Sequence, residues 1–282
     1  MVSVVLTNDS HVMSNTRSRR AFIASLGSLG LALAVSPAWA QTAPAAPESI
    51  SLAAAINKAG RQRMLSQRCA KCWLMISEGV LADRAGKWLE QSIALFEDGM
   101  TSLSTLQPSP EIRESLAQLE AAWRPYLATL LQSPSKAKAK AVFDASDEVL
   151  AIAHQTTKAY EAQASSAVGN LINIAGRQRM LSQRMAKFYF FERIGVEADA
   201  SRLALEKAAH EFVDAMKVLR ESSETTEAIA AELALADQQW FFFDAAIREP
   251  VGERAARNIA TTSERILQQL DLVVSRYEAL AG

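Results

Sequence analysis

The sequence predicts an all-α protein made of two tandem antiparallel four-helix bundles related by a pseudo-two-fold. Three observations carry that expectation. Ala, Leu, Glu, Gln and Arg dominate, while Gly and Pro number only 11 and 8 in 282 residues, a composition that favours helix over sheet. Apolar residues recur at helical spacing through long stretches parted by short breaks. Most informative is a duplication. The segment Ile56–Arg68 (INKAGRQRMLSQR) returns as Ile172–Arg184 (INIAGRQRMLSQR), an offset of 116 from Arg63 to Arg179.

The repeat extends beyond that segment, so a whole structural unit is duplicated rather than a motif. Ala70-Lys71 and Gly79-Val80 recur at Ala186-Lys187 and Gly195-Val196, and Trp123 and Tyr160-Glu161-Ala162 recur at Trp240 and Tyr277-Glu278-Ala279. The first unit spans 50–164, with helices expected at 50–79, 84–106, 110–131 and 137–163. The second spans 165–282, with helices at 166–194, 197–221, 225–247 and 251–280. Ser109-Pro110 reads as an N-cap followed by proline at the first helical position. Pro134 and Pro250 fall in connections, and Pro125 is expected to bend its helix. Short loops between long helices imply antiparallel neighbours. The junction at 162–169 is the undecided point, because its residues suit either a turn or one continuous helix.

Residues 1–40 read as an export signal, not as part of the fold. Ser18-Arg19-Arg20-Ala21-Phe22-Ile23 is a twin-arginine pattern, Ile23–Val35 an apolar run, and Ala38-Trp39-Ala40 a cleavage site. The run is too short to span a bilayer, although an uncleaved anchor is the alternative, and Met13 is a second possible start. This pattern resembles the signal of the twin-arginine route and implies a periplasmic location. Residues 41–49 (QTAPAAPES) read as a flexible linker. The formal charge is −1 for the whole chain and slightly more acidic beyond the leader, which gives no electrostatic footprint for nucleic acid.

The chemistry of interest is an arginine on an apolar seam. Ile56, Arg63 and Ala70 lie at seven-residue spacing, with Ala59, Gly60, Ser66 and Gln67 beside them, and Ile172, Arg179 and Ala186 repeat the arrangement. A seam of small and apolar residues should pack against another helix. A guanidinium placed there and left unpaired costs several kcal/mol, on the order of a buried-ion penalty. No acidic residue lies within Ile56–Arg68. If the two motif helices face each other, a small anion between Arg63 and Arg179 would turn like-charge repulsion into two charge-assisted contacts. Gly60 and Gly176, one turn earlier, would let a ligand approach the backbone. Arg61, Arg177, Gln67 and Gln183 are secondary candidates. The competing reading is that these arginines pair with carboxylates of neighbouring helices and the motif only packs.

At this point a family resemblance enters. INKAGRQRMLSQR resembles the P-box of periplasmic domains of nitrate/nitrite sensor kinases (NarX/NarQ type), and it is similar to the PilJ-type domain, the N-terminal domain of type IV pili methyl-accepting chemotaxis transducers. In the nitrate sensors one P-box helix from each of two subunits encloses a nitrate. The resemblance therefore implies a built-in pseudo-dimer with Arg63 and Arg179 as the binding arginines and Gly60 and Gly176 as the neighbouring glycines. It makes nitrate or nitrite the first ligand, with a carboxylate next, and a membrane sensor or transporter the implied partner. Arg61 and Arg177 add positive charge that the nitrate-sensor box does not require.

Other chemistries find little support. Cys69-Ala70-Lys71-Cys72 has C-x-x-C spacing, but it lies inside a helix and reads first as two small buried hydrophobes, with redox chemistry second. His154 and His210 lack a metal-ligand constellation, and no cofactor motif or catalytic constellation occurs. The expectation is a non-enzymatic, metal-free protein. Asp147-Glu148 reads as a solvated helix face, and Phe188–Phe191 with Trp240–Phe243 as core or packing between units. The function expected is a periplasmic small-anion binding or sensing protein. The alternative is a non-catalytic interaction module of the envelope or type IV pilus system.

Overall fold

The computed structural model describes residues 50–164 and 166–281; the expected leader at 1–40 and the linker at 41–49 lie outside them. The described residues form eight helices: α1 Leu52–Ser77, α2 Ala82–Ser104, α3 Pro110–Leu130, α4 Lys136–Ala164, α5 Ala167–Ile194, α6 Ala198–Glu221, α7 Glu227–Ile247 and α8 Glu253–Leu280. All eight fall where periodicity placed them, with ends shifted by no more than two residues. None is long and apolar enough to cross a membrane.

Local chemistry sets the breaks. The Ser51, Ser109, Ser166 and Thr226 hydroxyls each accept from a backbone N–H three residues on, capping α1, α3, α5 and α7, as short polar side chains do at helix starts. Pro110 occupies the first turn of α3, and α3 continues through Pro125 to Leu130. The α1–α2 and α5–α6 turns are copies of each other. Gly79 (φ 69°) and Gly195 (φ 67°) take the left-handed conformation. Val80 N–H then bonds Met75 O, and Val196 N–H bonds Phe191 O. This six-to-one closure needs a residue that tolerates positive φ after the last helical turn.

The junction between units is a turn. α4 ends at Ala164, and the Ser166 hydroxyl accepts from Gly169 N–H at 3.0 Å to start α5. The chain therefore reverses, and α5 runs parallel to α1 and packs along it. Within each unit the first helix packs on the second and fourth and the third packs on the fourth, while the second and third touch little. α1 and α5 thus stand at the middle, each enclosed by its own bundle and by the other. That is why α1 is buried almost without break from Gln62 to Met75. α6 is one residue longer than α2, 24 against 23, which moves the repeat offset from 116 in the first two helices to 117 in the last two.

The aromatic clusters are partly as expected. Phe96 stacks on Trp123 at 3.7 Å, and the repeat pair Phe212 and Trp240 stacks at 4.6 Å. Phe188, Tyr189, Phe190, Phe191 and Phe243 are buried. Phe241 and Phe242 depart from the expectation of core or inter-unit packing, since they are 70% and 56% exposed on the outer face of α7. α7 packs on α8 and hardly touches α6, so four successive aromatics, each turned about 100° from the last, cannot all reach its covered side, whereas α5 is enclosed by several helices and buries all four of its own.

Candidate functional site

The seam residues meet at the α1–α5 interface. Arg63 and Arg179 are wholly buried, and Gly60 and Gly176 beside them are buried too. A Cβ placed on Gly60 would lie 3.1 Å from Arg63 Nη2 and 4.0 Å from Arg179 Nη2. One on Gly176 would lie 3.3 Å from Arg179 Nη2 and 3.5 Å from Arg63 Nη2. Both guanidinium tips therefore sit beside both glycines, where a larger residue would crowd them. The turn at the junction is what brings the two arginines together.

Their partners differ. Arg179 Nη1 donates to Asp271 Oδ1 at 2.6 Å and Nη2 to Asn57 Oδ1 at 2.8 Å. Arg63 Nη2 donates to the Asn173 carbonyl at 3.2 Å, and Nη1 lies 3.3 Å from His154 Nδ1. Among the described residues no carboxylate bonds Arg63. The Nε atoms of both arginines are buried without a hydrogen-bond partner.

Offset 117 explains the difference. Asp271 of α8 and His154 of α4 occupy the same place in the two units, as do Tyr277 and Tyr160. One unit supplies a carboxylate and the other an imidazole. Burial, then the charges of Arg177 and Arg179, lower the Arg63 pKa to about 9, so it stays charged at neutral pH. Burial also lowers Arg179, with Asp271 opposing that shift. Burial alone would raise the Asp271 carboxyl, but Arg179 and Arg61 more than reverse it and hold it below its usual value. For His154, burial and then Arg63, Arg177 and Lys158 lower the pKa to about 4. Its imidazole is neutral near pH 7, with Nδ1 free to accept from Arg63 and the proton on Nε2.

The secondary candidates are placed as follows. Arg61 Nη2 donates to Asp271 Oδ1 at 2.9 Å, reaching across from α1 to α8. Arg177 pairs instead with Glu211 of its own unit. Gln67 and Gln183 donate to the Ser146 and Ser263 carbonyls at 2.8 and 2.9 Å, so their amides tie the first helix of each unit to its fourth.

A buried ionic layer lies further along the same interface, and composition gave no warning of it. Lys71 of α1 donates to Gln183 Oε1 at 2.6 Å and pairs with Glu264 of α8, which also takes Arg68 at 2.6 Å. Lys187 of α5 bonds Asp147 Oδ1 of α4 at 2.7 Å, with Arg184 at 3.6 Å. Each lysine thus reaches the last helix of the opposite unit. Asp147 is part of this layer and not of a solvated face, while Glu148 is exposed. Burial would raise the Glu264 carboxyl, yet Lys71 and Arg68 bring it down to about 2. Burial lowers Lys187 to about 8 against the opposing pull of Asp147.

Cys69 and Cys72 are free and fully buried. Burial raises Cys72 to about 11 and Cys69 well above the ordinary thiol value. Reactive cysteines are accessible and have lowered pKa values, so this pair has the character of core packing. No group of three or more His, Cys, Asp or Glu able to hold a metal occurs among the described residues.

Sequence reasoning missed Asp271, His154, Asn57 and Asn173. The signal for the first two was available, because aligning the fourth helices at offset 117 sets an aspartate against a histidine. Comparison with known proteins adds one finding. The family of type IV pili methyl-accepting chemotaxis transducer N-terminal domains (PilJ) matches residues 47–149 and again residues 160–266. No curated protein and no solved structure matches the chain. With the repeats in the sequence, the duplicated bundles and two family matches that together cover more than half of the chain, the chain belongs to the PilJ family, as two tandem copies of its domain.

Proposed function

We propose that this protein is a non-catalytic, periplasmic sensing module that binds a small planar oxyanion at the α1–α5 interface. The anion sits against Arg63 and Arg179 beside Gly60 and Gly176. Nitrate or nitrite is the first choice and a carboxylate the next, and the output passes through a membrane sensor or transporter. The observation that carries this reading is Arg63: a fully buried guanidinium with no carboxylate bonded to it, facing a second buried arginine. A buried charge of this kind costs several kcal/mol, on the order of a desolvated ion without its partner. A monovalent anion removes that cost and bridges the two bundles. Family membership supports a sensory role, and the twin-arginine pattern supports export.

Thermal-shift titration with nitrate, nitrite, sulfate and acetate tests it. A ligand selective for the folded state at a hundredfold its Kd should add about 2.7 kcal/mol. The rise in Tm should vanish in Arg63→Ala and shrink in Arg179→Ala. No stabilisation by any of the four ions would sink the proposal.

One observation favours a second reading, an interaction module of the envelope or pilus system in which the motif only packs helices. Arg179 already has Asp271 and Asn57 as partners. That reading predicts that Arg63→Ala changes stability identically with and without added anion.

A further inference from the structure

At one matched position the two units carry His154 and Asp271, and the surface beside it differs. Around Asp271, ion pairs bridge the seam between α1 and α8: Asp271 takes Arg61 and Glu264 takes Arg68, both of α1, while Asp271 also takes Arg179 of α5. At the same place between α5 and α4 there is a recess of about 270 Å³, whose walls include His154, Arg177, Arg184, Leu150, Ala151 and Met180. Asp147 is also on its wall, already engaged by Lys187. His154 is half-buried and stands between the recess and Arg63.

We propose that this recess takes the carboxylate group of a small organic acid, which displaces the His154 imidazole and joins Arg63 to Arg177 as Asp271 joins Arg179 to Arg61. The inference rests on the anion-binding reading above, puts its second-named ligand class, a carboxylate, ahead of nitrate, and adds the side from which it arrives. Three observations support it. First, the protein itself fills the mirrored position with a carboxylate, bonded to Arg179 Nη1 at 2.6 Å and Arg61 Nη2 at 2.9 Å. A ligand carboxylate meets the same two donor types in Arg63 and in Arg177, which Glu211 engages through Nε and which would meet the ligand through its terminal nitrogens. Second, a water molecule claims about 30 Å³ of liquid, so the recess is far larger than a triatomic or tetratomic anion needs. Leu150, Ala151 and Met180 give an organic tail an apolar wall. Third, a neutral imidazole is a weak substitute for a carboxylate beside two guanidinium groups, and its half-exposed position lets it turn outward.

Isothermal titration calorimetry on the protein with propionate, acetate and nitrate tests this. Propionate should bind more tightly than acetate by about fourfold, the value of one buried methylene, and more tightly than nitrate. Arg177→Gln should weaken propionate at least tenfold more than its mirror variant Arg61→Gln does. His154→Asp should bind no propionate, since it supplies the carboxylate internally; it should fold, because it recreates the Asp271 arrangement. Equal effects of Arg177→Gln and Arg61→Gln, propionate no tighter than nitrate, or full binding by His154→Asp would each overturn the inference. Nitrate binding that depends on Arg63 and ignores Arg177→Gln leaves the anion reading standing and removes this one. Failure of all three anions to bind removes both.

Discussion

At Arg63 and Arg179 the same residue, on the same motif, meets two different environments. Arg179 has a carboxylate and Arg63 an imidazole, so the two should respond oppositely to loss of charge. Replacing an uncompensated buried charge with an apolar side chain of similar length removes a desolvation cost. Arg63→Met should therefore stabilise the anion-free protein by about 1–3 kcal/mol, while Arg179→Met should destabilise it, because Asp271 is left with Arg61 alone and Asn57 Oδ1 loses its donor. Urea unfolding without added anions reads both, and a loss of stability in Arg63→Met contradicts this account. His154 gives a pH signature. Its folded pKa of about 4 lies below the unfolded value of 6.5, so below pH 6.5 the unfolded chain binds a proton that the folded one refuses. Stability is fully present above pH 6.5 and declines as pH falls toward 4. Solvent screening at this half-exposed site limits the effect to about 1 kcal/mol. His154→Gln should flatten that part of the stability-versus-pH curve.

Among the elements, α1 and α5 differ from the rest because they are enclosed on nearly all sides. Their polar residues are consequently tied into fixed bonds. Gln62 and Gln178 donate to the Phe96 and Phe212 carbonyls, each at 3.0 Å, and Gln67 and Gln183 bind the fourth helices. The ionic layer is asymmetric as well: the Glu264 side chain is 7% exposed with both its cations within 2.6 Å, while the Asp147 side chain is 33% exposed and its second cation, Arg184, lies 3.6 Å away. Glu264→Gln leaves Arg68 and Lys71 buried without a counter-charge and should cost about 3–5 kcal/mol, whereas Asp147→Asn should cost less. Chemical denaturation of the two variants side by side checks the order, and equal losses would count against it. The Ser166 cap has a smaller role, and Ser166→Ala should cost about 1 kcal/mol.

On the scale of the whole molecule, the pseudo-two-fold interface is the organising feature, since each bundle covers the central helix of the other. A chain of residues 50–164 alone would expose the α5-facing side of α1, including the seam of Ile56, Arg63 and Ala70. It should self-associate through that face, and sedimentation at increasing concentration measures this. A monomer that stays folded at all concentrations would show that the first bundle does not need the interface. For the intact chain, the shared core predicts one cooperative thermal transition instead of two.

Much of this was legible in the sequence. Helix positions, the Ser109-Pro110 start, the duplication and the arginine-bearing seam follow from periodicity, capping chemistry and self-similarity, which are local properties or comparisons of one stretch with another. The family resemblance rested on the same motif residues. Other features depend on which helices become neighbours. The turn at Ser166 was undecided because serine and alanine suit a cap or a helix equally until α5 has a surface to pack on. The Lys71–Glu264 pair joins residues 193 apart in sequence, and no local pattern predicts it. Asp147 looked solvated because its own helix shows nothing of the lysine across the interface. Residue order alone was enough to place the helices of the described residues and to put an arginine on each apolar seam. That these arginines meet, and that one has a carboxylate while the other has a histidine, follows from the packing of the helices, because burial and pairing depend on contacts between segments distant along the chain.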